Sequence, residues 1–500
     1  VVGERVVVGE RAVVGERAVV GERAVVGERA AASRTYLRWL ILTPLVTSAI
    51  PCYDGPEEAL VFLEALPMSL HLSDGDRVCI IGGGPAGSFA ALHLLYLARQ
   101  RGWKSLEVLI FEPRHFNRPG PGGCNRCAGI LSYRLLSGME TLDLTIPEET
   151  VQAELHAYAI HLHGSKLRIE QPDPNRRIVT VYRGGGPCMT RDLAPTISFD
   201  SFLLTQACER GAVHVQERVR KVTMSDDKLS IHTRTRTVDA DFMVLATGVN
   251  SRPPLASEFG YQAPETAVMV QDEFRLPKDW NNDQVSAFFG DMPGLMFGAL
   301  IPKGRYLTVS LLGDGLRLDS VNEFADAHGL SHALLPPSGG LCGCTPRIAV
   351  GPAHHYYGSR WVAVGDAAVT RLYKDGIGSA FNTSRVAMQT AFERGISRQA
   401  FSSGYAPYCR KVCTDNRYGR LLFKLWQFSR RSPTIIGAWK NAIDLERSLP
   451  PQKQVHSRIL WGMLTGDEPY RKLFWLSLTP PSLVNLARGM LGRGDGRMIG

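Results

Sequence analysis

Four consecutive apolar residues, Val78-Cys79-Ile80-Ile81, follow the charged Asp74-Gly75-Asp76-Arg77 and run straight into a string of glycines. An apolar run this short, rich in β-branched side chains and closed by a turn signal, predicts a buried strand. Past Gly82-Gly83-Gly84-Pro85-Ala86-Gly87 the spacing changes, and Phe89, Leu92, Leu94, Leu95 and Leu97 predict a helix reaching about Arg101. After Gly102 the continuous pattern returns in Glu107-Val108-Leu109-Ile110-Phe111, a second strand that ends in Glu112. Strand, glycine turn, helix and strand form the unit that binds a dinucleotide. Gly82 permits the tight turn, Gly84 lets a pyrophosphate approach the backbone, and Gly87 lets the helix pack closely on the strand. At the helix start, where Pro85 stands beside Ala86, the free backbone N–H groups (Pro85 itself has none) then face the phosphates. Glu112, about 25 residues after Gly87, is placed to accept from a ribose hydroxyl.

Further along, the two periodicities alternate. Residues 151–183 read as strands, and Ser198 caps a helix that begins Phe199-Asp200. Strands are predicted over 213–222, 228–237 and 242–246, the last closing in Thr247-Gly248, and again through 265–350 around a helix near 321–328. Trp361-Val362-Ala363-Val364 leads into Gly365-Asp366, a predicted strand-to-helix junction, and beyond about residue 402 the pattern is helical. The expected class is α/β: a Rossmann-type domain (74–140, 191–255 and 355–400) interleaved with a β-sheet substrate domain (141–190 and 256–354). A helical, basic C-terminal region (401–500) follows. Residues 1–30 repeat Gly-Glu-Arg every six residues, enough for fewer than two turns of a β-helix, so the low-complexity segment 1–35 is expected to be disordered and outside the fold. The apolar stretch 36–50 stays open between core helix, interfacial segment and leader.

Charge sharpens the view of the tail. The chain holds 57 Lys and Arg against 48 Asp and Glu, and from Cys409 onward sixteen basic residues face six acidic ones. No uncharged apolar run is long enough to cross a membrane, and no nucleic-acid motif accompanies the basic excess. Ten cysteines in 500 residues are no secreted disulfide framework, and the expected setting is cytoplasmic and reducing. In the tail, Leu421-Leu422-Phe423, Leu425-Trp426, Ile459-Leu460-Trp461 and Leu473-Phe474-Trp475-Leu476 lie among arginines and lysines. Such helices either rest peripherally on an anionic lipid surface or cover the substrate domain.

The candidate chemistry gathers around Asp366. A short acid beside a helix start accepts from a ribityl hydroxyl while the helix N-terminus faces a diphosphate or flavin ring; the glycine turn Gly376-Ile377-Gly378 follows. Cys124-x-x-Cys127 and Cys342-Gly343-Cys344 leave three uses open: a dithiol beside the cofactor, a zinc site, or a lining of small soft side chains. His354-His355-Tyr356-Tyr357 is read as a turn, and Arg183-Gly184-Gly185-Gly186 as a loop at the substrate mouth or a plain turn.

Gly82 to Gly87, Glu112, Ala128-Gly129-Ile130-Leu131-Ser132, Phe199-Asp200, Ala246-Thr247-Gly248 and Gly365-Asp366 occur in an order that resembles the geranylgeranyl reductase family. That family belongs to the FAD enzymes built like p-hydroxybenzoate hydroxylase, and the resemblance spans about residues 74–400. It implies FAD whose reduced ring delivers hydride to C=C bonds of an isoprenoid or similar lipid, with NAD(P)H or a small electron carrier as reductant. It places Gly82, Gly84, Gly87 and Glu112 on the adenosine diphosphate half, with Pro85, Ala86, Val219, Thr247 and Gly248 as further cofactor contacts. Gly129, Gly365, Asp366, Gly376, Ile377 and Gly378 fall toward the ribityl chain and ring. Cys127 and Tyr373 are the candidate proton donors, and no metal is implied. The substrate strand of the family corresponds to Phe297-Gly298-Ala299-Leu300-Ile301-Pro302, giving Phe297, Ala299, Ile301 and Pro302 as substrate contacts. Two aromatics of the family's pattern are missing there, and Arg371-Leu372-Tyr373-Lys374 replaces a proline-containing loop. A flavin monooxygenase or halogenase shares the same domains, and a scaffold built on the repeat is the remote alternative.

Overall fold

The computed structural model describes residues 70–120, 123–124, 128–162, 165–186, 198–225, 228–290, 292–334, 340 and 342–491. The hexapeptide repeat, the 36–50 stretch and Cys127 lie outside the described residues.

The predicted strand Arg77–Ile81 is the centre of a six-stranded sheet. Glu107–Phe111 and then Ala212–Val215 lie on one side of it, and Phe242–Leu245, Trp361–Ala363 and Tyr357–Gly358 on the other. All neighbours run parallel except the last pair. Val78 and Ile80 pack into one core and Cys79 and Ile81 into another, so both faces of the strand are covered and its continuous apolar run is explained. The helix Pro85–Gln100 starts with Pro at its first turn and buries Phe89, Leu92 and Leu94 against this sheet. Ser198 caps the helix Phe199–Glu209 as its sequence position predicts, its Oγ accepting from the Ser201 N–H at 3.2 Å.

A second, seven-stranded sheet has the order Arg347–Ala349, Thr266–Arg275, Tyr306–Gly313, Leu295–Lys303, Gln284–Phe288, Ala157–Leu162, Ser165–Glu170. It is antiparallel apart from the pairing of Gln284–Phe288 with Ala157–Leu162. On one face Gln271 lies beside Ser310, Ser310 beside Ala299, and Ala299 beside Ala287. The C-terminal helices lie over that face. Leu422, Phe423, Trp426, Leu460, Trp461 and Leu473 share a core with Phe297, Ala299 and Ile301.

Two local expectations need correcting. The single strand predicted over 213–222 is two, Ala212–Val215 and Lys221–Ser225, because the polar Gln216-Glu217-Arg218 turns the chain, with Glu217 N–H donating to the Val215 carbonyl at 2.8 Å. Asp366 does not start a helix. It sits in a single tight turn, Gly365–Ala367, and the helix begins only at Gly376. Gly365 has φ 63°, which takes the chain out of helical geometry, and its N–H donates to Thr383 Oγ1 at 2.8 Å.

Candidate functional site

A cavity of about 980 Å³ reaches from the Gly82 turn to the face of the second sheet. Its size is at the upper end of the ~300–1,000 Å³ usual for ligand pockets. From the first unit Gly82, Gly84, Pro85, Ala86, Glu112, Val219, Thr247 and Gly248 line it. Gly129, Asp366, Gly376, Ile377, Tyr373 and Lys374 add to the wall, as do Phe297, Ala299 and Ile301 from the sheet and Leu464 and Thr465 from the helix Val455–Thr465. The sequence-predicted residues are therefore brought together with few exceptions.

The exceptions have physical reasons. Gly87 packs against the Gly82 carbonyl, where a Cβ would collide, so it serves helix packing rather than the cavity. Gly365 abuts Ala86, and a Cβ there would approach the Ala86 Cβ to 2.7 Å. Gly378 packs against the Asp375 carboxylate. Pro302 is not a cavity residue. Along the strand Leu295–Lys303, side chains alternate between faces, and Phe297, Ala299 and Ile301 take the cavity face. Pro302 faces the other way, its carbonyl accepting from Thr180 Oγ1 at 2.8 Å. Of the cysteines, Cys124 lines this cavity and a small side chamber of about 30 Å³. Cys342 and Cys344 line the side chamber, and Cys342 is disulfide-bonded. Among the described residues no group of three or more His, Cys, Asp or Glu is arranged to hold a metal ion.

The glycine turn is held from behind by Glu112. One carboxylate oxygen accepts from the Gly83 N–H at 3.0 Å, and the other accepts from the Arg114 N–H and Nε, each at 3.0 Å. No acid occupies the first turn of the helix Pro85–Gln100 and no side chain caps it. Its free N–H groups therefore remain able to meet an anion.

Charged side chains at this site were less legible from the sequence. Arg183 lines the cavity and is gripped by the fully buried Asp200 through two bonds of 2.9 and 2.8 Å. Burial pushes the Asp366 carboxyl above the usual carboxylate range, and the Arg183 charge partly opposes that. Burial also raises Asp375, to about 6, although Ser132 Oγ donates to it at 3.1 Å. Tyr373, with φ 62°, stacks edge-on against Phe423 at 5.2 Å, and burial raises its hydroxyl pKa. Lys374 places its Nζ 4.3 Å from the Phe297 ring, and burial lowers it to about 8. Nothing in the spacing announces Lys374, because its partner is 77 positions earlier in the chain. Its place in a turn that leads straight to Gly376 was the available signal.

Lys374 carries a pH-dependent expectation. Its folded pKa, about 8, lies below the 10.5 of the free side chain, so the unfolded chain holds more protons between those values. Stability therefore rises with pH across that window. Lys374→Met is expected to be more stable than the wild type below pH 8, by about 1–3 kcal/mol. The gain shrinks to nothing as the pH approaches 10.5, which chemical denaturation at pH 7, 9 and 10.5 measures.

Whether these residues suit a flavin dinucleotide can be tested on the cavity itself. Thr247 Oγ1 is buried, lines the cavity and makes no hydrogen bond among the described residues. An orphaned buried hydroxyl is rare in a folded protein, and a ribose or phosphate oxygen would satisfy it. With the uncapped helix start, the glycine turn and an elongated cavity, the residues present fit the group.

The fold and cavity define a protein with a Rossmann-type nucleotide-binding unit threaded through a β-sheet domain. Several solved structures share that architecture. One is a geranylgeranyl bacteriochlorophyll reductase-like protein from Thermoplasma acidophilum, at 16% identity over 84% of this chain and 96% of that one, with a TM-score of 0.51. Another is a flavoprotein/dehydrogenase from Cytophaga hutchinsonii, at 16% identity over 84% and 99%, with a TM-score of 0.56. A 2-methyl-3-hydroxypyridine-5-carboxylic acid oxygenase aligns at 15% identity over 72% and 94%, with a TM-score of 0.52. The resemblance read from the motifs thus holds at the level of the fold. No family model and no curated protein matches the sequence.

Proposed function

We propose that this chain is an FAD-dependent oxidoreductase that reduces C=C bonds of an isoprenoid or similar lipid. The carrying observation is the continuity of one cavity, from a dinucleotide turn at Gly82–Ala86 to an apolar wall of Met269, Val285, Ala287, Phe297, Ala299 and Ile301. Gly82, Gly84, Val219, Thr247 and Gly248 would hold the adenosine diphosphate half, and Gly129, Asp366, Gly376 and Ile377 the remainder. When bound, the reduced flavin supplies hydride. The protein's share is positioning and exclusion of water. Leu464 and Thr465 close the cavity over the apolar wall. Tyr373 and Lys374, both on that wall, are the described residues placed to hold a proton near a reacting double bond. NAD(P)H or a small electron carrier is the proposed reductant, since a single dinucleotide turn is present in the sequence.

The test is direct. Purified protein is expected to be yellow and, once reduced without oxygen, to saturate a prenyl chain, as read by mass spectrometry. Turnover of an aromatic substrate that requires oxygen would support the monooxygenase reading instead, and a colourless protein that ignores added flavin would refute both. One variant isolates the cofactor contact. Thr247→Val removes a hydroxyl that is unsatisfied without ligand, so the flavin-free protein is expected to be equally stable or up to ~1 kcal/mol more stable. Flavin binding is expected to weaken about tenfold, as equilibrium titration of flavin fluorescence measures.

A further inference from the structure

The last two helices, Tyr470–Ser477 and Pro480–Leu491, form a hairpin whose outer helix is turned inside out. A helix resting on a soluble protein buries its apolar stripe and shows its polar one. Pro480–Leu491 does the reverse. It meets the body of the protein through Ser482 and Gly489, both buried, and through the half-buried Asn485 and Leu486. Ser482 Oγ lies 3.5 Å from His456 Nε2, and Asn485 Nδ2 donates to Glu446 Oε1 at 3.3 Å. Gly489 packs on the Ala438 carbonyl, and its own carbonyl accepts from Asn441 Nδ2 at 2.9 Å. Behind them Glu446 and His456 are fully buried and joined at 2.7 Å. This polar socket orients the helix and leaves Leu483, Val484 and Met490 outward, 52%, 47% and 41% exposed. In the preceding helix Tyr470 and Leu473 are buried, while Trp475 and the following Leu478 face out. Of the eleven large hydrophobic side chains exposed among the described residues, five belong to this hairpin. Water alone does not select such a surface.

Charge identifies the occupant. Residues 470–491 contain no Asp or Glu, and they carry Arg471, Lys472 and Arg488, all exposed. Lys472 is partly offset by Glu468 at 2.7 Å. A second copy docking on the same face would set like charges against each other. An anionic lipid surface supplies both the apolar depth and the opposite charge, and Trp475 is the side chain type that settles at such a boundary. We propose that this hairpin docks the protein on an anionic membrane surface. The helix Val455–Thr465, whose Leu464 and Thr465 line the cavity, packs against the hairpin through Gly462 and Leu473. That contact would bring a lipid substrate from the membrane toward the cavity, a role that rests on the proposed function; the docking itself does not.

The experiment is vesicle co-sedimentation of the full chain, with and without bound flavin, on phosphatidylcholine vesicles and on vesicles containing 30% phosphatidylserine (roughly the anionic content that gives a strong surface potential). Binding to the anionic vesicles is expected in both flavin states, falling at high salt. Trp475→Ser/Leu483→Ser/Val484→Ser changes only exposed side chains, so it is expected to fold and to bind roughly a hundredfold more weakly. Arg471→Glu/Arg488→Glu is expected to lose the preference for anionic over neutral vesicles. Absence of binding by the wild type, or equal binding by the triple variant, overturns the proposal. So does a dimer that the triple variant dissolves without any vesicle binding, since the occupant would then be a second copy. Vesicle binding without flavin, followed by failure to reduce a prenyl chain, would leave the docking surface standing and refute the reductase reading alone.

Discussion

Gly82→Ala is expected to yield a protein that retains no flavin through purification and loses about 2–4 kcal/mol of stability even without ligand. Two costs coincide at this residue. Its φ of 107° is a conformation that side-chain-bearing residues rarely adopt, and an added Cβ would stand 2.5 Å from the Ala246 carbonyl oxygen. That carbonyl belongs to backbone leading directly into Thr247 and Gly248, which also line the cavity. Relief of the collision must therefore move the glycine turn or its opposite wall, and either shift removes the surface a diphosphate would meet. Gly75→Ala separates the two costs, because Gly75 has φ 98° with nothing within 4 Å of an added Cβ. That control is expected to cost about 1 kcal/mol and to leave flavin content unchanged. Urea denaturation of the flavin-free proteins, with absorbance at the flavin band, reads both quantities.

The second large effect lies at Asp200. Its carboxylate is fully buried and bound at both oxygens by the Arg183 guanidinium, whose side chain is 17% exposed. Asp200→Ala leaves that guanidinium without its buried counter-charge, at an expected cost of about 3–5 kcal/mol. The double variant Asp200→Leu/Arg183→Met is expected to be less damaged than Asp200→Ala alone, because no charge is then stranded. Thermal melting of the two variants checks the order. Flavin binding divides them differently: both lose the Arg183 geometry opposite Asp366, so both are expected to bind flavin more weakly than the wild type.

How far the sequence could be read follows from how local each signal is. The strand Arg77–Ile81, the glycine turn and the helix after it were legible because turn chemistry, apolar continuity and helical spacing all act within 25 residues. The cap at Ser198 was legible for the same reason. The tight turn at Asp366 was misread as a helix start because glycine followed by a short acid suits both geometries, and only the Thr383 contact from the later helix selects one. Pro302 was carried over with its neighbours, although strand alternation already places residues 301 and 302 on opposite faces. Arg183 and Asp200 each have an ordinary local reading, loop residue and first-turn acid, and neither implies the other.

The C-terminal region marks the limit most plainly. Its aromatic and basic helices leave two roles open. In the structure Leu422, Trp426 and Trp461 pack into the core over the sheet, while Trp475, Leu483 and Val484 face out, on the side proposed above to meet a membrane. Periodicity shows that a helix has an apolar side, but not which side the protein takes. For Pro480–Leu491 the buried pair Glu446 and His456 favours one side, by offering hydrogen bonds to Ser482 and Asn485. By itself the sequence determined the nucleotide-binding unit, since short-range backbone geometry and apolar patterning are written residue by residue. The joining of that unit to an apolar sheet across one cavity, the pairing of buried charges and the outward turn of the last helix were decided only by the tertiary structure. Each depends on the energy of placing groups from distant parts of the chain in a shared environment away from water.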